Sequence, residues 1–219
     1  MAFSIFALCR RSGQVGVAVC GSRIAVGARI GVCAAGVGAV VVQFRPEPRL
    51  AEQGLALLRS GKDAAGALKA LVAADPHANW RQIAILDAAG GTAVFSGQRT
   101  QPEMSEAPTQ DACAIGNRLA STLVPAAMLR GWQTEPALPL AERLVRALEE
   151  GVRAGGCQAP ARSALLRVAH APGLNLVDLR VDWHEAPVAE LRALWDRQLP
   201  QAHDLLLRGI DPDNPAVRP

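Results

Sequence analysis

The sequence predicts an α+β fold in four layers, an αββα sandwich with two stacked antiparallel sheets between outer helices. Three observations carry this expectation. Val15–Phe44 has Arg23 and Arg29 as its only charges, yet glycines at 16, 21, 27, 31, 36 and 38 cut it into pieces of strand length. Those pieces are rich in β-branched valine, which favours a pleated backbone over a membrane-spanning helix. Ala39–Val42 lacks polar alternation, the mark of a strand buried on both faces, and such a strand needs a layer above and a layer below. Finally, blocks of strands are separated by pairs of helices, an order that fits stacked antiparallel sheets rather than repeated βαβ units.

Taken in order, Ala2–Cys9 sets Phe3, Ile5, Ala7 and Cys9 on one face of a first strand and Ala2, Ser4, Phe6 and Leu8 on the other. Arg10–Gln14, with Ser12-Gly13, turns into the second strand. There Val15, Val17 and Val19 share one face, and Gly16, Ala18 and Cys20 share the other, which is small enough for another layer to approach closely. Pro46 and Pro48 end the strands, and Leu50, Leu55 and Leu58 take helical spacing up to Gly61. Asp63 is placed to cap a second helix, whose stripe is Ala67, Leu68, Leu71 and Val72 and which Asp75-Pro76 ends. Strands are predicted at Gln82–Leu86 and Thr92–Phe95, around a hairpin loop from Asp87 to Gly91. Gln98–Asp111 is polar, holds Pro102 and Pro108, and is predicted to be an exposed loop. Ala112–Ile115 is a short strand leading into Gly116-Asn117, and Thr122–Leu129 is a short helix. Pro139 opens a longer helix with Ala141, Leu144, Val145, Leu148 and Val152 buried and Glu142, Arg143, Arg146, Glu149 and Glu150 outward; Gly155-Gly156 stops it. Ser163–His170 and Leu174–Asp182 pair around Ala171-Pro172-Gly173. Pro187 opens a last helix with Val188, Leu191, Leu194 and Trp195 on one side, and Pro200 kinks or ends it. Residues 1–210 are expected to form a single domain, and 211–219, with three prolines, a loose tail.

Composition narrows the functions. At 219 residues and 50% hydrophobic content the chain can bury a sizeable core, which aromatics at 4% leave to Val, Ala and Leu. The net charge is +3 and the arginines are scattered along the sequence, so no nucleic-acid partner is expected. The five cysteines include no Cys-x-x-Cys pair; neither a disulfide framework nor a zinc site is predicted, and Cys9, Cys20 and Cys33 read as small core residues. Phe3–Leu8 has no basic region before it and is followed by Arg10-Arg11, the wrong order for a signal peptide, so a cytoplasmic location is expected, with no membrane partner. His184-Glu185 lacks the second histidine of a zinc helix, since position 188 is Val188, and Gly36-Val37-Gly38 precedes a strand rather than a helix; no metal and no cofactor is predicted. The apolar side of Val188–Trp195 suggests a surface hidden in a homo-oligomer.

An ordered set of segments then carries a resemblance. Phe3-Ser4-Ile5, Gly16-Val-Ala-Val, Ser22 with Ala25-Val-Gly-Ala, and Gly36-Val-Gly-Ala with Gln43 are followed by Asp75, Arg81-Gln82, Gly116-Asn117 and Leu140-Ala-Glu-Arg-Leu. Ala154-Gly-Gly, Ser163-Ala-Leu-Leu, Asp178-Leu-Arg-Val-Asp and Pro187-Val-Ala-Glu-Leu complete it. Together these resemble the bacterial family of unknown function numbered 1028, which is similar to the N-terminal-nucleophile (Ntn) hydrolases. The resemblance implies the αββα fold and an amide-bond hydrolase that attacks with the hydroxyl or thiol of its first residue, its α-amine acting as base. Where the resembled pattern starts Met-Thr this chain has Ala2, which carries no nucleophile. It also has Cys157 for an Asp, Arg162 for a Gln and Ile115 for a Gln.

The candidate site follows. Ala2 occupies the nucleophile position in degenerate form, and Ser4, two residues along the same strand face, is the candidate substitute; the alternative for Ser4 is a hydroxyl satisfied by its surroundings. Gln43, Ser22 and Asn117 could donate hydrogen bonds to a small-molecule amide or carbonyl ligand; they could equally close a strand end, a glycine turn and a left-handed turn. Asp178, Arg180 and Asp182 alternate on one face as an expected ion-pair ladder or oligomer contact. Two functions stand: an amide-bond hydrolase with a degenerate nucleophile, and a non-catalytic binding or assembly protein on the same fold.

Overall fold

The computed structural model describes residues 1–100, 103–170 and 173–213. Gln101 and Pro102 of the predicted loop, Ala171 and Pro172 between the predicted last strands, and residues 214–219 of the predicted tail lie outside the described residues; Asp211, Pro212 and Asp213 are exposed. No helix among the described residues is long and apolar enough to cross a membrane.

The strands are β1 (Ala2–Cys9), β2 (Gln14–Gly21), β3 (Val32–Ala34), β4 (Gly38–Phe44), β5 (Arg81–Asp87), β6 (Thr92–Ser96), β7 (Met104–Thr109), β8 (Ala112–Asn117), β9 (Ser163–His170) and β10 (Leu174–Val181). The helices are α1 (Pro48–Arg59), α2 (Ala64–Ala74), α3 (Val124–Gln133), α4 (Leu140–Arg153), α5 (Pro187–Gln198) and α6 (Ala202–Ile210). Two antiparallel sheets result. One has the order β10-β9-β2-β1-β8-β7, and the other β3-β4-β5-β6. The three strands of the Val15–Phe44 run are thereby divided between the sheets, which is how one apolar stretch comes to line the seam from both sides.

Three apolar clusters define the layers. Val15, Val17 and Val19 of β2 meet Ala39 and Val41 of β4 and Ala84 and Leu86 of β5 between the sheets. On the far side of the six-stranded sheet, Phe3, Ile5, Ala18 and Cys20 pack against α3, α4 and α5. On the far side of the four-stranded sheet, Val40, Val42, Ile83 and Ile85 pack against α1 and α2. Ala39 to Val42 are fully buried, as the lack of alternation requires. The small-residue face of β2 has a steric purpose: a Cβ at Gly16 would stand 2.5 Å from Leu144 Cδ1 and 3.1 Å from the Arg167 carbonyl oxygen. Asp63 caps α2 through a hydrogen bond from the Gly66 N–H, at 2.7 Å.

The structure corrects the sequence reading at five places. Gln98–Asp111 is not a loop: a 3-10 turn at Gln98–Thr100 leads into β7, which pairs with β8 from Met104↔Asn117 to Thr109↔Ala112. Pro108 is tolerated because β7 is an edge strand, with a partner on one side within its sheet. The helix predicted at Thr122–Leu129 lies at Val124–Gln133, and Gly131 within it lets α4 approach closely, since a Cβ there would stand 2.6 Å from Glu150 Cγ. In α4, Val152 is 47% exposed while Arg143 is buried. The Arg143 guanidinium lies 4.3 Å from the Trp132 ring centroid and its Nε donates to the Trp132 carbonyl oxygen. Asp178 pairs across to Arg167 on β9, leaving Arg180 to Asp182, so the expected ladder is two separate pairs. Leu191 and Trp195 do not face outward: both are buried within the chain, which removes the surface on which a homo-oligomer was expected.

What holds α5 down is a charged cluster. Glu142 of α4 accepts from Arg146 Nε at 2.6 Å, Arg192 Nη1 at 2.6 Å and Trp195 Nε1 at 2.8 Å. Burial would raise the Glu142 pKa, but the hydrogen bonds from Arg192, Arg146 and Trp195 outweigh it and hold the carboxyl at about 2, below its usual 4.5.

Two outcomes are expected. Gly16→Ala lowers stability by about 1–3 kcal/mol through overpacking, and in a double-mutant cycle with Leu144→Ala the combined loss is smaller than the sum of the two, read by denaturant unfolding. The Glu142 carboxylate contributes stability that is in place above pH 4.5 and lost as the pH falls toward about 2. Glu142→Gln is therefore less stable than wild type at about pH 7, and the gap narrows at about pH 3.

Candidate functional site

At the end of the seam where β1 begins, polar side chains replace the apolar ones. Ala2, Ser4 and Asn117 continue the inter-sheet faces of β1 and β8, and Gln43 and Gln82 face each other in the β4–β5 register. Ser4, Gln43, Gln82 and Asn117 are wholly buried. Ser4 Oγ donates to Gln43 Oε1 at 2.6 Å, and Gln43 Nε2 donates to Gln82 Oε1 at 2.7 Å. Asn117 Nδ2 also donates to Gln82 Oε1, at 3.3 Å, and Gln82 Nε2 donates to the Gly116 carbonyl oxygen and to Ser96 Oγ, both at 3.2 Å. The chain of amides ties both sheets together beneath the start of β1. Asn117 Oδ1 is a buried acceptor with no partner among the described residues.

Above this network lies an open cleft of about 540 Å³. Met1 lines it, and Ser22 stands beside Met1, its N–H donating to the Met1 carbonyl oxygen at 3.1 Å. Arg23 follows Ser22; Phe44 and Arg45 leave β4; Arg118 follows β8; Arg162 and Trp183 come from the segments flanking β9 and β10. A smaller cleft of about 370 Å³ shares Met1, Arg23, Phe44 and Arg45 and reaches Ala2. Phe44 and Arg118 both adopt left-handed backbone, φ 79° and 48°. That conformation is costly for a bulky residue. Here it swings two strand ends out to form the rim.

Burial chiefly holds the α-ammonium group of Met1 below its ordinary pKa, with Arg23, Arg118 and Arg45 adding to that and Cys157 opposing it. Cys157 is pushed up to about 11 by burial, the Met1 ammonium working against it, so its thiol stays protonated near neutral pH. Among the described residues no group of three His, Cys, Asp or Glu side chains is placed to hold a metal ion.

The five sequence-derived candidates thus come together in two tiers. Ser4, Gln43 and Asn117 form the buried tier and are satisfied largely by one another and Gln82. Ser22 lies in the cleft, and Ala2 lies between the tiers, its carbonyl oxygen 3.5 Å from Gln43 Nε2. Sequence reasoning missed Gln82 as the hub, although the polar Gln82 at the head of an otherwise apolar strand was a signal. It also missed the cationic rim, whose members are far apart in the chain. Gln82→Leu leaves Gln43 and Asn117 without their shared acceptor, at roughly 1–3 kcal/mol for each orphaned group. Unfolding should show a loss of about 2–4 kcal/mol, against under about 1 kcal/mol for Ser96→Ala at the periphery.

No curated protein matches this sequence. Among solved structures, Anbu (ancestral beta-subunit) from Yersinia bercovieri matches at 10% identity with a TM-score of 0.40, over 99% of this chain and 100% of that one. The crystal structure of protein SPO2555 from Silicibacter pomeroyi, assigned to the DUF1028 family model, is 27% identical with a TM-score of 0.83, over 90% of this chain and 85% of that one. The model of that same family of unknown function matches residues 2–191, and the chain belongs to the DUF1028 family.

Proposed function

We propose that this chain is a small-molecule binding protein on an Ntn-hydrolase-like sandwich, with its ligand site in the cleft at the start of β1 and with amide-bond hydrolysis weak or lost. The observation that supports this most is the state of Ser4. It is the hydroxyl nearest to Ala2 on the same strand face, yet it is fully buried and its proton is committed to Gln43. A nucleophile must reach its substrate and have a base within hydrogen-bond reach. Ser4 meets neither condition, and Ala2 offers a methyl group. The donors that would orient a carbonyl compound survive in the cleft, among them Ser22 and the arginine side chains. An amide or carbonyl ligand can therefore be held where the attacking oxygen is missing.

Ser22 supports a second reading. Its hydroxyl is the one on the cleft wall beside Met1, so residual hydrolysis would fall to it rather than to Ser4.

The test compares wild type, Ser4→Ala, Ser22→Ala and an Ala2→Thr variant with Met1 removed, all assayed on simple amides. Wild type is expected to show little turnover and Ala2→Thr a gain, because losing the nucleophile of a catalytic unit removes several orders of magnitude of rate. Wild-type turnover equal to that of Ala2→Thr overturns the proposal, and its disappearance in Ser22→Ala would make Ser22 the nucleophile.

A further inference from the structure

The charge of the cleft says more about its ligand than the amides beneath it do. Four guanidinium groups, those of Arg23, Arg45, Arg118 and Arg162, line it, and no carboxylate does. The whole chain carries a net charge of only +3, so these four exceed it and the remainder is slightly acidic. Of the arginines elsewhere, Arg10, Arg81, Arg146 and Arg192 each lie within 4.0 Å of an Asp or Glu oxygen, while Arg11, Arg29 and Arg143 donate to backbone carbonyl oxygens. Among the described residues Arg23, Arg45 and Arg118 have no such partner, and Arg162 reaches only the outer end of Glu185, at 3.9 Å, whose side chain is 94% exposed.

The arginines are also held in a particular way. The Arg118 guanidinium carbon lies 5.9 Å from the Phe44 ring centroid, that of Arg45 lies 5.5 Å from Trp80, and that of Arg162 lies 5.7 Å from Trp183. Phe44 and Trp80 are themselves stacked, 6.2 Å apart and 12° from parallel. A ring face steadies a guanidinium through its charge and plane, while the N–H donors at its edge stay free. Three cations are therefore oriented at no cost in hydrogen-bonding capacity, in a concave site that also presents the Phe44 and Trp183 side chains. Like charges gathered without counter-ions repel one another, and an anion relieves that repulsion as it binds.

We infer that the cleft takes a small ligand carrying at least two negative charges, held by the edges of Arg23, Arg45, Arg118 and Arg162 with its uncharged part against Phe44 and Trp183. This rests on the reading of the cleft as the ligand site and adds the ligand's charge. Carboxylate and phosphate share the required chemistry, planar or tetrahedral oxyanions that accept paired N–H donors.

Calorimetric titration of the intact chain with glutarate, pyrophosphate and the uncharged glutaramide tests it. Glutarate or pyrophosphate, whichever binds more tightly naming the oxyanion, is expected to bind at least about tenfold more tightly than glutaramide, since a charge-assisted hydrogen bond is worth about one decade of affinity or more. Arg118→Gln and Arg23→Gln, both at exposed positions, should each weaken that binding roughly tenfold, and added salt should weaken it further. Equal binding of glutaramide, lost in Ser22→Trp, keeps the cleft as a carbonyl site and overturns the anionic assignment. Absence of binding by all three, or binding that survives both arginine changes and Ser22→Trp, overturns the assignment and the cleft with it. Tighter binding of a single-stranded oligothymidylate that Arg99→Gln, outside the cleft, abolishes would also overturn it in favour of an extended polyanion.

Discussion

The hydrogen-bonded chain Ser4–Gln43–Gln82–Asn117 is what the arrangement around the cleft depends on. It joins β1 and β8 of one sheet to β4 and β5 of the other through fully buried side chains. Valine contacts along the rest of the seam are non-directional and would tolerate a small slide of one sheet over the other. Paired amides do not, because each donor must find its acceptor within about 3 Å or remain buried and unsatisfied. A one-residue slip in β1 would turn Ser4 and Ala2 to the helix side and bring Phe3 into the seam. Fixing the sheets at this end also fixes where β4 and β8 stop, and hence where Phe44 and Arg118 turn outward.

The layer order and most element boundaries were legible because they rest on local patterns. Two-residue alternation in β1 and β2, glycine cuts, the Asp63 cap and the prolines at helix starts all act within a few residues. Edge strand β7 was not legible. It carries Pro108 and a polar face, and its strand state comes from pairing with β8 rather than from its own composition. The buried side of α5 was seen as apolar but placed on the outside, since nothing in a single helix says which neighbour will cover it. Arg143 shows the same limit: its helical position reads as solvent-facing, and only the Trp132 ring and carbonyl on α3 make burial acceptable.

The site was legible in part for a related reason. Ser22, Gln43 and Asn117 could be picked out as polar residues in apolar runs, and they do gather at one end of the seam. Arg23, Arg45, Arg118 and Arg162 looked scattered because their proximity is created by four different chain segments. Arg162, along with Cys157, is also one of the positions where this sequence departs from the pattern it resembles. Both sit by the chain's first residue: Arg162 on the cleft wall, and Cys157 close enough for the Met1 ammonium to work against the rise in its thiol pKa.

Edge strand β7 bears on how the chain behaves at high concentration. A six-stranded sheet has two open sides, each a template on which another molecule could lay a strand. On one side stands β7, with the charge of Glu106 and, at Pro108, no N–H to give. On the other stands β10, whose outward face carries Asp178 and Arg180 in ion pairs. Charge and proline are the usual guards against strand addition, and each open side of the six-stranded sheet carries at least one of them.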